Sequence, residues 1–99
     1  MYTVIARIRA IPGSADELAS ELTAMVNWVA ENEPETLSYI CHRSVADPDA
    51  FVFFERYTNE AAFAAHGASE RFAQLIQALD GKVAAAPELE VLDEVAGKL

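Results

Sequence analysis

Three side chains in this 99-residue sequence stand out as able to move a proton near neutral pH: His42, Glu55 and His66. His66 is set in the stretch YTNEAAFAAHGASERF, three residues after Phe63 and four after Ala62. On a helix that spacing puts the imidazole on the face of its apolar neighbours, where it would look into a pocket and could act as an acid or base. A second reading is open, in which His66 occupies a last helical turn because its cation interacts well with the helix C-terminus.

His42 and Glu55 fall on two neighbouring extended segments, with Arg7 and Arg9 on a third. If strand alternation brings all four to one sheet face, they form either a buried ion-pair network or a cluster that orients a substrate and moves its proton. Tyr39, Phe54, Tyr57, Phe72 and Ile76 are candidates for an apolar binding wall, and equally for ordinary core packing. Trp28, beside the main apolar stripe of the first helix, suits either a pocket flank or the edge of a dimer. The spacing of the two histidines matches no metal-ligand pattern, so no metal site is expected. No Gly-rich phosphate loop or G-x-S-x-G turn occurs, and Ser14 and Ser69 read as helix caps rather than nucleophiles. The single cysteine, Cys41, has no partner for an internal disulfide and reads as a small buried hydrophobe.

The elements that must position these groups follow from periodicity and turn chemistry. Tyr2 to Ile11 alternates as a strand, with Val4, Ala6 and Ile8 on one face and Thr3, Arg7 and Arg9 on the other, until Pro12 and Gly13 stop it. Ser14 and Glu17 make a capping box for a helix carrying Leu18, Leu22, Met25, Val26 and Val29 and ending near Asn32. Thr36 to Ser44 and Ala50 to Tyr57 are rich in β-branched and aromatic residues, and VADPD between them makes a hairpin turn. Thr58 or Asn59 caps a short helix closing at Gly67, and Ser69 caps another before Gly81. Leu89 to Val95 completes the set as a strand. The order is β-α-β-β-α-β with a broken second helix, an α+β, ferredoxin-like arrangement over residues 1–99 as a single domain. One helical layer covers one sheet face, so a second copy of the chain is expected on the other, giving a homodimer.

Composition narrows the function classes. Slightly more than half the residues (53%) are hydrophobic and 23% are charged, without repeats or low-complexity tracts, as in an ordinary folded domain. A formal charge of −9 would be repelled by nucleic acid and anionic lipid. Arginines interrupt the first apolar run, no span approaches the ~20 residues of a membrane crossing, and a soluble cytoplasmic protein is expected. The terminal GKL differs in its first residue from a peroxisomal address and carries little weight.

With these elements placed, the joint occurrence of HRS, DP, FFERY, AH and SERF within TLSYICHRSVADPDAFVFFERYTNEAAFAAHGASERF resembles the antibiotic biosynthesis monooxygenase family, and TVIARIRAIPG is similar to its first strand and turn. The resemblance spans nearly the whole chain. It implies a dimeric α+β barrel with a pocket between helices and sheet in each protomer. It also implies oxidation of quinols or polycyclic phenols by O2 without flavin, haem or metal. In the haem-degrading branch a tryptophan, a histidine and an asparagine stand where this chain has His66, Ile76 and Ala6, so haem degradation does not fit. The quinol-oxidising branch, with its AH and S-x-x-F spacing, fits better.

Such chemistry needs a base, because the phenolate is the electron-rich form that reduces O2. A phenol near pKa 10 facing a histidine near 6.5 leaves a gap of about 3.5 units, roughly 5 kcal/mol uphill. That fits within the barrier of about 16 kcal/mol that allows about 10 turnovers per second. An ordinary carboxylate near 4.3 faces about 8 kcal/mol. The expected roles are therefore His66, or failing it His42, as base, with Glu55 orienting a histidine or offsetting charge. A non-catalytic dimer binding a small aromatic molecule and a proton-transfer isomerase are the alternatives on the same scaffold.

Overall fold

Alternating and helical patterns resolve into seven elements in the computed structural model, which describes residues 1–98. These are β1 (Tyr2–Arg9), α1 (Ala15–Asn32), β2 (Thr36–Arg43), β3 (Ala50–Tyr57), α2 (Glu60–Gly67), α3 (Glu70–Leu79) and β4 (Glu88–Leu92). The strands pair antiparallel in the order β2-β3-β1-β4, the ferredoxin-like α+β arrangement, with the second helical segment split into α2 and α3. Leu99, the last residue of GKL, lies outside the described residues. Among the described residues no helix is long and apolar enough to cross a membrane.

Several strand ends differ from the sequence reading, by one residue at the end of β2 and the start of β4 and by more at two others. β1 stops at Arg9, after which Ala10 makes an isolated bridge to Val83, and β4 runs over Glu88–Leu92 rather than on to Val95. The capping box at Ser14 is not formed. Ser14 follows a turn in which Gly13 has φ 92°, and its own ψ of 0° keeps the hydroxyl off the first helical N–H groups. Asn59 and Ser69 have the extended backbone a cap needs, and they accept from the N–H groups of Ala62 and Phe72.

Register assigns the faces, because residues opposite one another in a ladder share a face. Val4 pairs with Glu55, Ala6 with Phe53 and Ile8 with Phe51; Tyr39 pairs with Glu55 and Cys41 with Phe53. These residues meet the helices. Leu18, Leu22, Met25 and Val29 of α1 close the core over Phe51 and Phe53, together with Leu75 and Leu79 of α3. Each such buried side chain is worth about 1.5–3 kcal/mol of transfer free energy. A smaller cluster of Val4, Tyr57 and Ala62, flanked by Tyr2 and Phe63, lies under α2.

The other face carries Ile5, Arg7, Arg9, Ile40, His42, Val52, Phe54 and Arg56 and, among the described residues, has no helix over it. Glu55 is therefore separated by the sheet from His42, Arg7 and Arg9, and the four-residue cluster considered from sequence does not form. Arg7 instead pairs with Glu90 at 3.3 Å and Arg9 with Asp47.

Candidate functional site

His66 ends up between the two apolar clusters. Asn59 starts α2 cleanly, and about two turns later the imidazole points down toward the sheet, only 4% exposed. Aromatic rings surround it: Tyr39 edge-on at 5.0 Å, Phe72 at 5.3 Å and Tyr57 at 5.6 Å between centroids. Phe72 is brought there by the Ser69 cap, whose hydroxyl receives the Phe72 N–H at 3.1 Å.

Beside this imidazole lies a cavity of about 140 Å³ between the helices and the sheet. Its polar groups are those of His66, Glu55 and Tyr39; its apolar wall includes Phe53, Phe72 and Leu75, and Ile76, Pro87 and Leu89 stand at its mouth. Ile76 (44% exposed) and Leu89 (59% exposed) mark that rim as open to solvent. Among the described residues no three His, Cys, Asp or Glu side chains converge as a metal site would require.

Electrostatics divides the polar groups. Burial pushes the Glu55 carboxyl above its ordinary value, while the Tyr57 hydroxyl, donating to its Oε1 at 2.5 Å, and the nearby His66 pull it partly back. Burial first, and then the negative charge of Glu55, raise the Tyr39 and Tyr57 phenols well above the usual tyrosine range. Neither tyrosine is a base near neutral pH, and Glu55 holds its proton more readily than a surface glutamate.

The Glu55 shift yields a testable sign. A carboxyl with a folded pKa above its unfolded value binds protons more tightly when folded. Its contribution to stability is therefore lost as pH rises from the ordinary value near 4.5 through the raised one. Glu55→Gln keeps an acceptor for Tyr57 but has no proton to lose. Its melting temperature relative to wild type should accordingly become more favourable between pH 4 and pH 8, measured by thermal unfolding at both. A difference that does not change with pH would show Glu55 to be unperturbed.

Of the residues singled out from sequence, the structure brings His66, Glu55, Tyr39, Phe72 and Ile76 to one cavity. Three others are placed elsewhere. His42 is exposed on the open face, where its Nδ1–H donates to the Val52 carbonyl at 3.0 Å, so the sheet separates it from the cavity. Phe54 is also on that face, one residue out of phase with Phe53. Tyr57 is fully buried behind His66 and anchors Glu55 without lining the cavity. Trp28 borders a separate outer groove, and Cys41 is half-buried, its thiol pushed up to about 11 by burial and so poorly reactive.

One residue of the site was missed from sequence. Glu33, just past the end of α1, accepts a hydrogen bond from His66 Nδ1 at 2.8 Å. Its only sequence signal is a glutamate before Pro34 in the acidic stretch ENEPE, which reads as a solvated helix end.

Comparison with known proteins agrees with this architecture. A crystal structure described as an antibiotic biosynthesis monooxygenase superposes with a TM-score of 0.85 at 27% identity, covering 97% of this chain and 100% of that one. PA3566 from Pseudomonas aeruginosa gives 0.86 at 27% identity, covering 96% and 94%. A candidate antibiotic biosynthesis monooxygenase from Caulobacter crescentus CB15 gives 0.89 at 28% identity, covering 96% and 90%. No curated protein matches the sequence. Residues 1–78 match the antibiotic biosynthesis monooxygenase family as a whole, and the chain belongs to that family.

Proposed function

We propose that the cavity takes a one-ring quinol or phenol and that His66 removes its phenolic proton so that O2 can accept its electrons, with no resident cofactor. The observation that carries this reading is a buried imidazole on the wall of an otherwise apolar cavity of about 140 Å³. An engineered apolar cavity of ~150 Å³ accommodates benzene, so this one suits a single ring, with substituents leaving past Ile76 and Leu89. A polycyclic phenol would have to extend out past that mouth.

Deprotonation turns the phenol into a phenolate, which passes one electron to O2 to give a phenoxyl-type radical and superoxide. Loss of a second electron and the remaining proton from a hydroquinone yields quinone and hydrogen peroxide. Recombination at a ring carbon gives a hydroperoxide that loses water, leaving one oxygen atom in the product. Glu55, able to hold a proton beside the ring, hydrogen-bonds a second hydroxyl or offsets developing charge.

The test is oxygen uptake with a panel of one-ring hydroquinones and phenols and of polycyclic phenols, on purified protein assayed for bound metal and chromophore, with spontaneous oxidation subtracted. Saturable uptake favouring one-ring substrates is expected; uptake no greater than with heat-denatured protein would refute the reading. Labelled O2 separates peroxide release from oxygen insertion. Since His66 and Glu55 are two proton-transfer groups on one cavity, an isomerase is the second reading. It would continue to turn over without oxygen, whereas a non-catalytic binder would saturate without product.

The working form is proposed to be a homodimer in a compartment such as the cytoplasm. Ile40 (49% exposed), half-buried Phe54 and Leu92 (36% exposed) leave the open sheet face apolar between its charged residues. Stable interfaces bury roughly 800 Å² per partner, so a contact here would have to draw on most of that face. Phe54→Glu should yield a folded protein of monomer mass in analytical ultracentrifugation, with unchanged far-ultraviolet circular dichroism. A dimer unaffected by this change would place the contact elsewhere.

A further inference from the structure

The Glu33–His66 contact deepens the reading above, on whose choice of His66 as base it rests. Glu33 is held from three sides. Its backbone N–H caps α1 by donating to the Val29 carbonyl at 2.9 Å, and Pro34 follows it. The Thr36 hydroxyl donates to its Oε1 at 2.8 Å, and the same oxygen receives His66 Nδ1 at 2.8 Å. The side chains of the pair are only 13% and 4% exposed.

An ionised carboxylate can only accept hydrogen bonds, so the imidazole nitrogen facing it must carry a proton. The neutral ring then has its lone pair on Nε2. The placement of the two residues says where that lone pair goes. Glu33 borders an outer groove with Trp28, Asn32 and Ser69 and does not line the cavity, whereas His66 borders both. Nδ1 is thus engaged on the outer side, and Nε2 is the nitrogen left for the cavity. The second carboxylate oxygen, Oε2, is buried without a hydrogen-bond partner among the described residues. The charge on Glu33 is consequently offset by little besides His66, which suits a carboxylate that must stabilise an imidazolium when Nε2 accepts a proton.

We propose that Glu33 is the positioning residue of this site: it fixes His66 as the Nδ1–H tautomer and thereby makes Nε2 the base presented to substrate. The arrangement is that of a carboxylate–histidine pair, with the carboxylate acting through the ring and never touching the reacting atoms.

Nitrogen-15 and carbon-13 NMR of the histidine rings tests this without any substrate. His42→Gln, a change on the opposite sheet face, leaves a single histidine and assigns the His66 signals. At a pH where His66 is neutral, its shifts should be those of the Nδ1–H form. In Glu33→Ala they should move to the Nε2–H form that free imidazole side chains prefer. A wild-type ring already in the Nε2–H form, or one unmoved by Glu33→Ala in a folded variant, would overturn the proposal. Should Glu33→Ala fail to fold, the wild-type spectrum still decides, and Glu33→Gln, which removes the charge at nearly constant volume, adds the kinetic arm. There kcat for quinol-dependent oxygen uptake should fall about ten- to a hundredfold while KM changes less than threefold; an unchanged kcat counts against the proposal. If the wild type consumes no oxygen with any quinol, the proposed activity has failed, and the ring shifts alone judge Glu33.

Discussion

His66→Ala is expected to lower quinol-dependent oxygen uptake by about 10²- to 10⁴-fold, the usual worth of a positioned general base. In activation free energy that is about 3–5.5 kcal/mol. The loss should fall on kcat, because the cavity's apolar wall of Phe53, Phe72 and Leu75, proposed to hold the substrate ring, is untouched. The variant also leaves Glu33 with Thr36 as its remaining hydrogen-bond donor. A melting curve must therefore accompany the assay. Added imidazole, which fits the space vacated by the side chain, should restore part of the rate. Uptake within twofold of wild type in a folded His66→Ala protein would remove the base from the mechanism.

The largest effect on stability is expected at Phe53. It is 1% exposed, at the centre of the sheet between Ala6 and Cys41, with its ring 4.8 Å from that of Tyr39. Phe53→Ala removes that transfer free energy and leaves a void that surrounding strands cannot close, for a loss of about 3–5 kcal/mol. In a domain of this size that is a fall of roughly 15–30 °C in Tm. It is also a large part of a total stability of about 5–15 kcal/mol. Any protein that remains folded should have an enlarged cavity and accept two-ring phenols more readily than the wild type does. Phe54→Ala, one residue away on the open face, is the control, and in the isolated protomer it should cost distinctly less. Equal destabilisation by both changes would mean that the register of β3 is wrong.

Phe53 and Phe54 also show where sequence reading stops. In AFVFFERY both are apolar, so alternation alone does not say which one turns inward, and Glu55 and Arg56 inherit the same uncertainty. Pairing with β1 settles the parity: Phe53 and Glu55 go with Ala6 and Val4 to the helix side, and Phe54 goes with Ile5 to the other. A shift of one residue would reverse every assignment. β2 adds an irregularity between Thr36 and Ser38 that offsets its first residues from simple alternation. Hence Tyr39, His42 and Phe54 could not be assigned to a face from sequence, and only the pairing puts Tyr39 on the helix side and the other two opposite. An inward-facing His66 was legible as one of two readings because its evidence was local: a cap seven residues before it, Phe63 and Ala62 on its face, and Gly67 after it. Glu33 was not legible, because nothing within a helical turn of it hints at an imidazole 33 positions further on.

Composition, turn residues and apolar periodicity by themselves determined the kinds of element, their order and the ferredoxin-like arrangement, since each depends on neighbours a few bonds away along the chain; for the imidazole they offered an inward turn beside a helix-end alternative. Tertiary structure alone decided that Glu55 and His66 share a cavity, that His42 lies across the sheet from them, and that Glu33 holds the ring. Those outcomes depend on strand register and on where the end of α1 meets α2, and both are set by packing between segments that the chain itself keeps far apart.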